Sequence, residues 1–254
     1  LMPEPELELR YFPLLARGLG PTLVLFHAGI PFHGNASLDF QAKRDWKDFK
    51  PQTPFGQLPV LRIKRGSDYD IVGQTCAIIS YIGDAHPAAF SLLPTNSLFN
   101  MQLICFAEEI YGIMDRTIPT IYKRLSEHSA AGSIFTTKGT REQYDRAVSD
   151  GGKFRERLSR LATFLESHAT NGSGDSNFLP GELYLFSTLY QLNLVEPSLI
   201  SSTSIIQIWY AKIEASSKTQ KVLSGETPMG ILKQYFVHPD SPLLCSVSDE
   251  REES

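Results

Sequence analysis

Gln74 and Thr75 stand directly before an apolar run, Cys76-Ala77-Ile78-Ile79-Ser80-Tyr81-Ile82. A polar pair at a helix start offers free backbone N–H groups and the positive end of a dipole to an anion, and Thr75 can equally serve as a plain N-cap. Tyr11 closes an alternating strand, where a phenol is either a core aromatic or a hydrogen-bond donor at the open edge of a sheet. Leu58-Pro59 opens a second strand and reads, taken alone, as a strand-start proline. Asp45-Trp46 and Lys50 belong to a polar run with spaced aromatics, the usual composition of a surface segment. Cys76, Cys105 and Cys245 show neither CxxC spacing nor clustering with the six histidines, so no metal site is expected and a reducing compartment is. The helix start beside Cys76 would lower a thiol pKa, but a buried structural cysteine is the preferred reading.

The elements that position these residues follow from periodicity. Leu7 to Phe12 alternates as a strand, Pro13 to Gly20 reads as a loop, and Pro21 starts a helix, PTLVLFHA, that Gly29 stops. A strand is expected near Pro31 to Leu38, then a short helix or irregular segment over Asp39 to Lys50. Pro59 to Ile63 and Tyr69 to Val72 form a hairpin around Gly66-Ser67-Asp68, and a helix follows with Thr75 as its N-cap. This strand–helix–strand–loop–hairpin–helix order is the layout of a thioredoxin-like domain, placed at residues 6–86. Gly83 to Ser97 reads as a linker. A helical domain is expected over residues 97–238. It has one long helix from Leu98 that Pro119 ends or kinks, a loop over Ser126 to Thr140, and an amphipathic helix from Arg141 to Ser167. A turn at Asn171 to Asn177 and helices at Phe178 to Leu194 and Ile205 to Leu223 complete it. Residues 239–254 are expected to be a disordered tail. The fold class is therefore an α/β thioredoxin-like N-terminal domain followed by an all-α C-terminal domain.

With these elements in order, the chain resembles the cytosolic glutathione S-transferases, most closely the tyrosine-type classes such as sigma. The residues that carry the resemblance are TPFGQLPVL at Thr53 to Leu61 and VGQTCAIISYIG at Val72 to Gly83, with Tyr11-Phe12 and Asp45-Trp46 at matching offsets. The resemblance implies a co-substrate, glutathione, whose thiol must become a thiolate to act as nucleophile. A free thiol titrates near ~8.5, and lowering that by about two units means ~2.7 kcal/mol of differential stabilisation. Tyr11 is implied as the donor to the sulfur anion and Arg17 as the nearby cation that tunes the field. Leu58 is implied to pair its backbone with the cysteinyl part of glutathione, across a cis bond to Pro59. Gln74 and Thr75 would take the γ-glutamyl end, with Gln57 adding a contact, and Trp46 and Lys50 the glycine end. Glu108 is implied to reach the γ-glutamyl amine bound to a partner subunit. Phe12, Leu14, Tyr111 and Met114 would wall the electrophile pocket between the two domains. The sequence departs from the family at LLARGLGP, and at Leu185-Phe186-Ser187-Thr188, where an S/T-x-x-D capping box loses its Asp; a lost cap is worth ~1 kcal/mol.

Three functions compete on this sequence: glutathione transfer to small hydrophobic electrophiles, in the manner of a detoxification enzyme; a glutathione-dependent isomerase on the same site; and a non-catalytic interaction module. Apolar residues are 42%, charged residues 20% and the net charge −4 over 254 residues, with no basic stripe, which argues against nucleic-acid binding. No apolar run is long enough for a membrane span. A cytoplasmic homodimer is expected. The chain begins at Leu1 rather than Met, which leaves room for a targeting peptide upstream.

Overall fold

The structure, a computed structural model, describes residues 6–38, 42–121, 139–168 and 177–242. The expected loop over 126–138, the turn over 171–176, Cys245 and the tail beyond residue 242 lie outside them. The first strand, β1 (Leu7–Arg10), pairs antiparallel with β2 (Val60–Arg65), which pairs antiparallel with β3 (Asp68–Gly73) in a three-stranded sheet. Alternation sorts β1 by face. Leu7 and Leu9 are buried in the main core with Leu61 and Ile63 of β2, while Phe12 packs in a smaller cluster with Val60 and Phe49.

The strand expected over Pro31 to Leu38 shrinks to one parallel bridge at His33. Its N–H donates to the Leu7 carbonyl and its carbonyl accepts from the Leu9 N–H, both at 2.8 Å. Pro31 has no N–H to give a ladder, and the chain beyond His33 turns, with the Ser37 and Leu38 N–H groups returning to the Gly34 carbonyl. The first helix, α1 (Leu15–Ala28), starts before Pro21 rather than at it, with a kink at Ala16. Gly18 and Gly20, read in the sequence as loop formers, are instead close-approach residues. A Cβ on Gly18 would collide with the Tyr11 ring, and one on Gly20 would lie 2.6 Å from Tyr184 Cδ2. Helix α2 (Ala42–Phe49) continues into a short 3-10 turn, Lys50–Gln52, and the hairpin leads into α3 (Thr75–Ala85).

The C-terminal part is helical: α4 (Pro94–Thr117), α5 (Arg141–Val148), α6 (Lys153–Ser167), α7 (Pro180–Val195), α8 (Pro197–Ser201), α9 (Ser204–Glu214) and α10 (Ser217–Leu223). Pro119 follows α4 directly, as expected. The single helix expected over Arg141 to Ser167 breaks at Ser149 to Gly152, where the Gly152 N–H turns back to the Ser149 carbonyl and any Cβ would meet the Ala147 carbonyl. The one expected over Ile205 to Leu223 likewise divides, into α9 and α10. Helix α7 is apolar on every side because it is buried between α4 and α1. It also corrects the expected loss of a cap. Leu185 to Thr188 lie inside α7, which starts five residues earlier and is closed by the Glu182 carboxylate, accepting from the Leu179 N–H at 2.8 Å.

Candidate functional site

Tyr11 follows β1 and turns its ring onto α1, into the space that Gly18 leaves open. The Arg17 N–H donates to the Tyr11 phenolic oxygen at 3.1 Å. A phenol that accepts such a bond is a stronger donor through its own O–H, since hydrogen bonds in a chain polarise one another.

The Arg17 side chain crosses to the helical part. Its Nη1 is 2.9 Å from both oxygens of Glu108 on α4 and 3.2 Å from the Tyr184 hydroxyl on α7. Its guanidinium lies 4.0 Å over the centroid of the Tyr111 ring. The Tyr184 hydroxyl donates to Glu108 Oε1 at 2.5 Å. Burial works against the Arg17 charge, but Tyr184, Glu108 and Tyr111 outweigh it and hold the guanidinium more firmly protonated than usual. Burial first, then Glu108, pushes the Tyr184 phenol well above its ordinary range, and burial with neighbouring Tyr11 does the same for Tyr111. Glu108, expected to reach into a partner's site, is thus engaged within its own chain; its carboxylate is the counter-ion of Arg17.

Leu58 and Pro59 are joined by a cis peptide bond, and the Leu58 N–H and C=O enter no hydrogen bond among the described residues. Next to them the Gln74 amide donates to the Gln57 side-chain oxygen at 3.1 Å, tying the two glutamines together. Thr75 is not the N-cap. Gln74 holds that position at φ 69°, in the left-handed region that non-glycine residues avoid, and Thr75 is the first residue of α3. The Thr75 hydroxyl is buried and has no hydrogen-bond partner among the described residues. A buried hydroxyl without a partner, beside the first amides of a helix, is a group that an arriving carboxylate would satisfy. Trp46 is half-buried with Phe12 and Leu58 around Phe49 and Val60, and the exposed Lys50 lays its aliphatic chain over Gly56. In the stretch before Pro59, Lys50 and Gln57 are exposed and Leu58 is half-buried.

The expected electrophile wall is covered. Leu14 and Tyr111 are each 4% exposed and Met114 is 0%. The segment from Ile231 to Val237 lies against Leu14 and Tyr111, bridging to Leu14 through Lys233 and to Thr120 through Phe236. The Leu15 N–H donates to the Lys233 carbonyl at 2.8 Å, and the Ile121 N–H to the Tyr235 carbonyl at 3.1 Å. Phe236 is buried edge-on to Tyr111, with 5.4 Å between centroids. Of the four wall residues, only Phe12 keeps appreciable exposure. Tyr184 and Phe236 stand in no motif that the sequence analysis singles out. The two glycines of Arg17-Gly18-Leu19-Gly20 were the available hint that large rings press on α1.

Among the described residues no group of three or more His, Cys, Asp or Glu is placed to hold a metal ion, and no helix is long and apolar enough to cross a membrane. Cys76 is half-buried and Cys105 exposed, both as free thiols.

No family model matches the chain. Glutathione S-transferase 1 of Ascaris suum is 37% identical over 79 residues, which are 31% of this chain and 34% of that protein. Glutathione S-transferase 2 of Manduca sexta is 38% identical over 80 residues, again 34% of its length. The chain thus matches these relatives over about a third of their length. Among solved structures, a sigma-class glutathione S-transferase from Fasciola hepatica superposes with a TM-score of 0.64 at 19% identity, covering 88% of this chain and 99% of that one. The glutathione S-transferase of Ascaris lumbricoides gives 0.62 at 18% identity, covering 88% and 100%. The fold is the one these structures share: a thioredoxin-like α/β part followed by a helical part.

Proposed function

We propose that the chain is a tyrosine-type, sigma-like glutathione S-transferase, which ionises the thiol of glutathione and conjugates it to small hydrophobic electrophiles. The observation that carries this reading is the grouping on the α/β part: the Tyr11 phenol accepting from the Arg17 N–H, the open Leu58 backbone before Pro59, and the buried, unpartnered Thr75 hydroxyl at the start of α3. In this reading Leu58 N–H and C=O bind the cysteinyl backbone as an added strand, and Thr75 with the first amides of α3 binds the γ-glutamyl carboxylate. Gln57 and Gln74 orient that end, while Trp46 and Lys50 take the glycine carboxylate. Tyr11 then donates to the thiolate, and Arg17, its charge offset by Glu108, supports it through the backbone N–H that bonds the Tyr11 phenol. Residues 6–86 bind glutathione and residues 97–238 complete the second substrate's surroundings, in the cytoplasm, as a homodimer. Leu98 and Met101 on one face of α4, 68% and 60% exposed, support a face between subunits.

The experiment is turnover of a chromogenic aryl halide by the purified chain with glutathione. Conjugation above the uncatalysed rate, retained on a glutathione column, is the expected result. Retention without turnover contradicts the transferase reading. It would favour an isomerase, whereas no retention would favour the non-catalytic module; the burial of Leu14, Tyr111 and Met114 is the observation on the side of both.

A further inference from the structure

Tyr184 is a buried phenol that no part of the proposed function uses. It is 1% exposed, sits on the central helix α7, and spends both hydrogen-bonding capacities on one ion pair. Its O–H donates to Glu108 Oε1 at 2.5 Å and its oxygen accepts from Arg17 Nη1 at 3.2 Å. A phenylalanine would fill the same volume, so packing alone does not require the hydroxyl. The ion pair it engages is anchored to the site at the other end, because the same Arg17 whose side chain binds Glu108 presents its backbone N–H to Tyr11 at 3.1 Å. The start of α1 is pinned a second time by α7. Gln191 Nε2, two turns beyond Tyr184, donates to the Ala16 carbonyl at 2.8 Å. Gly20 is the matching device on α1, since any side chain there would strike the Tyr184 ring.

We infer that Tyr184 is a positioning residue: through Glu108 and Arg17 it holds the Arg17 amide against the Tyr11 phenol, so that α7 sets the donor strength of a group on the other half of the molecule. The inference deepens the transferase reading and rests on it for its catalytic consequence, but its structural claim concerns the free chain. The groups facing this cluster are Tyr11 after β1, Arg17 from α1, Glu108, Tyr111 and Asp115 from α4, Cys76 from α3 and Tyr235 from the C-terminal segment. Arg17 Nη1 still donates to both Glu108 oxygens when the Tyr184 hydroxyl is removed, so the variant reads the share of the hydroxyl alone in fixing the pair.

The test is a titration of the Tyr11 phenol by NMR in tyrosine-ring-labelled chain without ligand, parent against Tyr184→Phe. The Tyr11 midpoint is expected to rise by about half a unit or more in the variant, with the thermal midpoint within a few degrees of the parent. An unchanged Tyr11 midpoint overturns the inference. If Tyr184→Phe does not fold, hydrogen exchange at the Arg17 amide is compared between the parent and Glu108→Gln, at a more exposed position: faster exchange is expected, and an unchanged rate overturns the inference. With glutathione and an aryl halide, Tyr184→Phe should lower kcat about threefold to tenfold, the range for one lost hydrogen bond, and leave KM for glutathione within twofold. A parent chain that binds no glutathione removes the transferase reading, while the ligand-free titration still decides the role of Tyr184.

Discussion

The Thr75 hydroxyl makes no hydrogen bond among the described residues, which separates two effects that usually travel together. Removing a partnered buried hydroxyl destabilises a protein, whereas removing an orphan does not. Thr75→Val, which keeps the buried volume, is therefore expected to leave the thermal midpoint unchanged or slightly raised, and to weaken glutathione about tenfold or more, the loss for a hydrogen bond to a charged group. Calorimetric titration beside a thermal melt checks both halves, and a destabilised variant with full affinity would mean the hydroxyl serves the fold alone. Gln74 at φ 69° belongs to the same argument. A strained residue persists where its surroundings fix it, and here the Gln57–Gln74 hydrogen bond and the first turn of α3 do so.

Two elements carry consequences beyond the site. His27 on α1 is 7% exposed, bonded at 3.0 Å to the Thr219 hydroxyl of α10, and burial followed by the Lys218 charge pushes its pKa down to about 4. In the unfolded chain an imidazole titrates near ~6.5. The folded state therefore binds fewer protons between these values, so the stability His27 contributes is complete above about pH 6.5 and lost as pH falls toward 4. The loss amounts to ~3 kcal/mol at most, from a shift of about 2.5 units between the ordinary value of 6.5 and about 4. Urea midpoints measured from pH 7 to pH 4 should fall more steeply for the parent than for His27→Gln. The C-terminal segment is the second element. Phe236→Ala is expected to destabilise by ~3 kcal/mol or more, as for a buried phenylalanine. It should also uncover Tyr111 and Leu14, so that bulkier electrophiles react faster relative to small ones. Equal turnover ratios in parent and variant would show that the second substrate binds elsewhere.

Across the whole molecule, the sequence was most legible where the signal is local. The hairpin of β2 and β3, the proline that ends α4, the start of α3 and the two-part architecture all follow from periodicity and turn chemistry within a dozen residues. What escaped depends on residues far apart in the chain. The strand expected at Pro31 to Leu38 is only a bridge because its far half turns toward Pro228, where the Ala36 N–H bonds at 2.8 Å. Glu108 finds a counter-ion 91 residues away, and Tyr184 lies a further 76 from it. Nothing local to Leu14 or Tyr111 signals that residues 231–237, which carry no motif, lie against them. Assembly is tested at this scale too. Sedimentation should show a dimer for the parent and a monomer for a Leu98→Asp, Met101→Asp double variant, and a parent monomer would remove the proposed α4 face. The central claim is that this fold turns a bound thiol into a thiolate through Tyr11, and the thiol's own titration reads it most directly. Followed by its ultraviolet absorbance in the complex, glutathione should ionise about two units below the ~8.5 of a free thiol in the parent, and close to the free value in Tyr11→Phe. Equal midpoints in the two proteins would contradict the account.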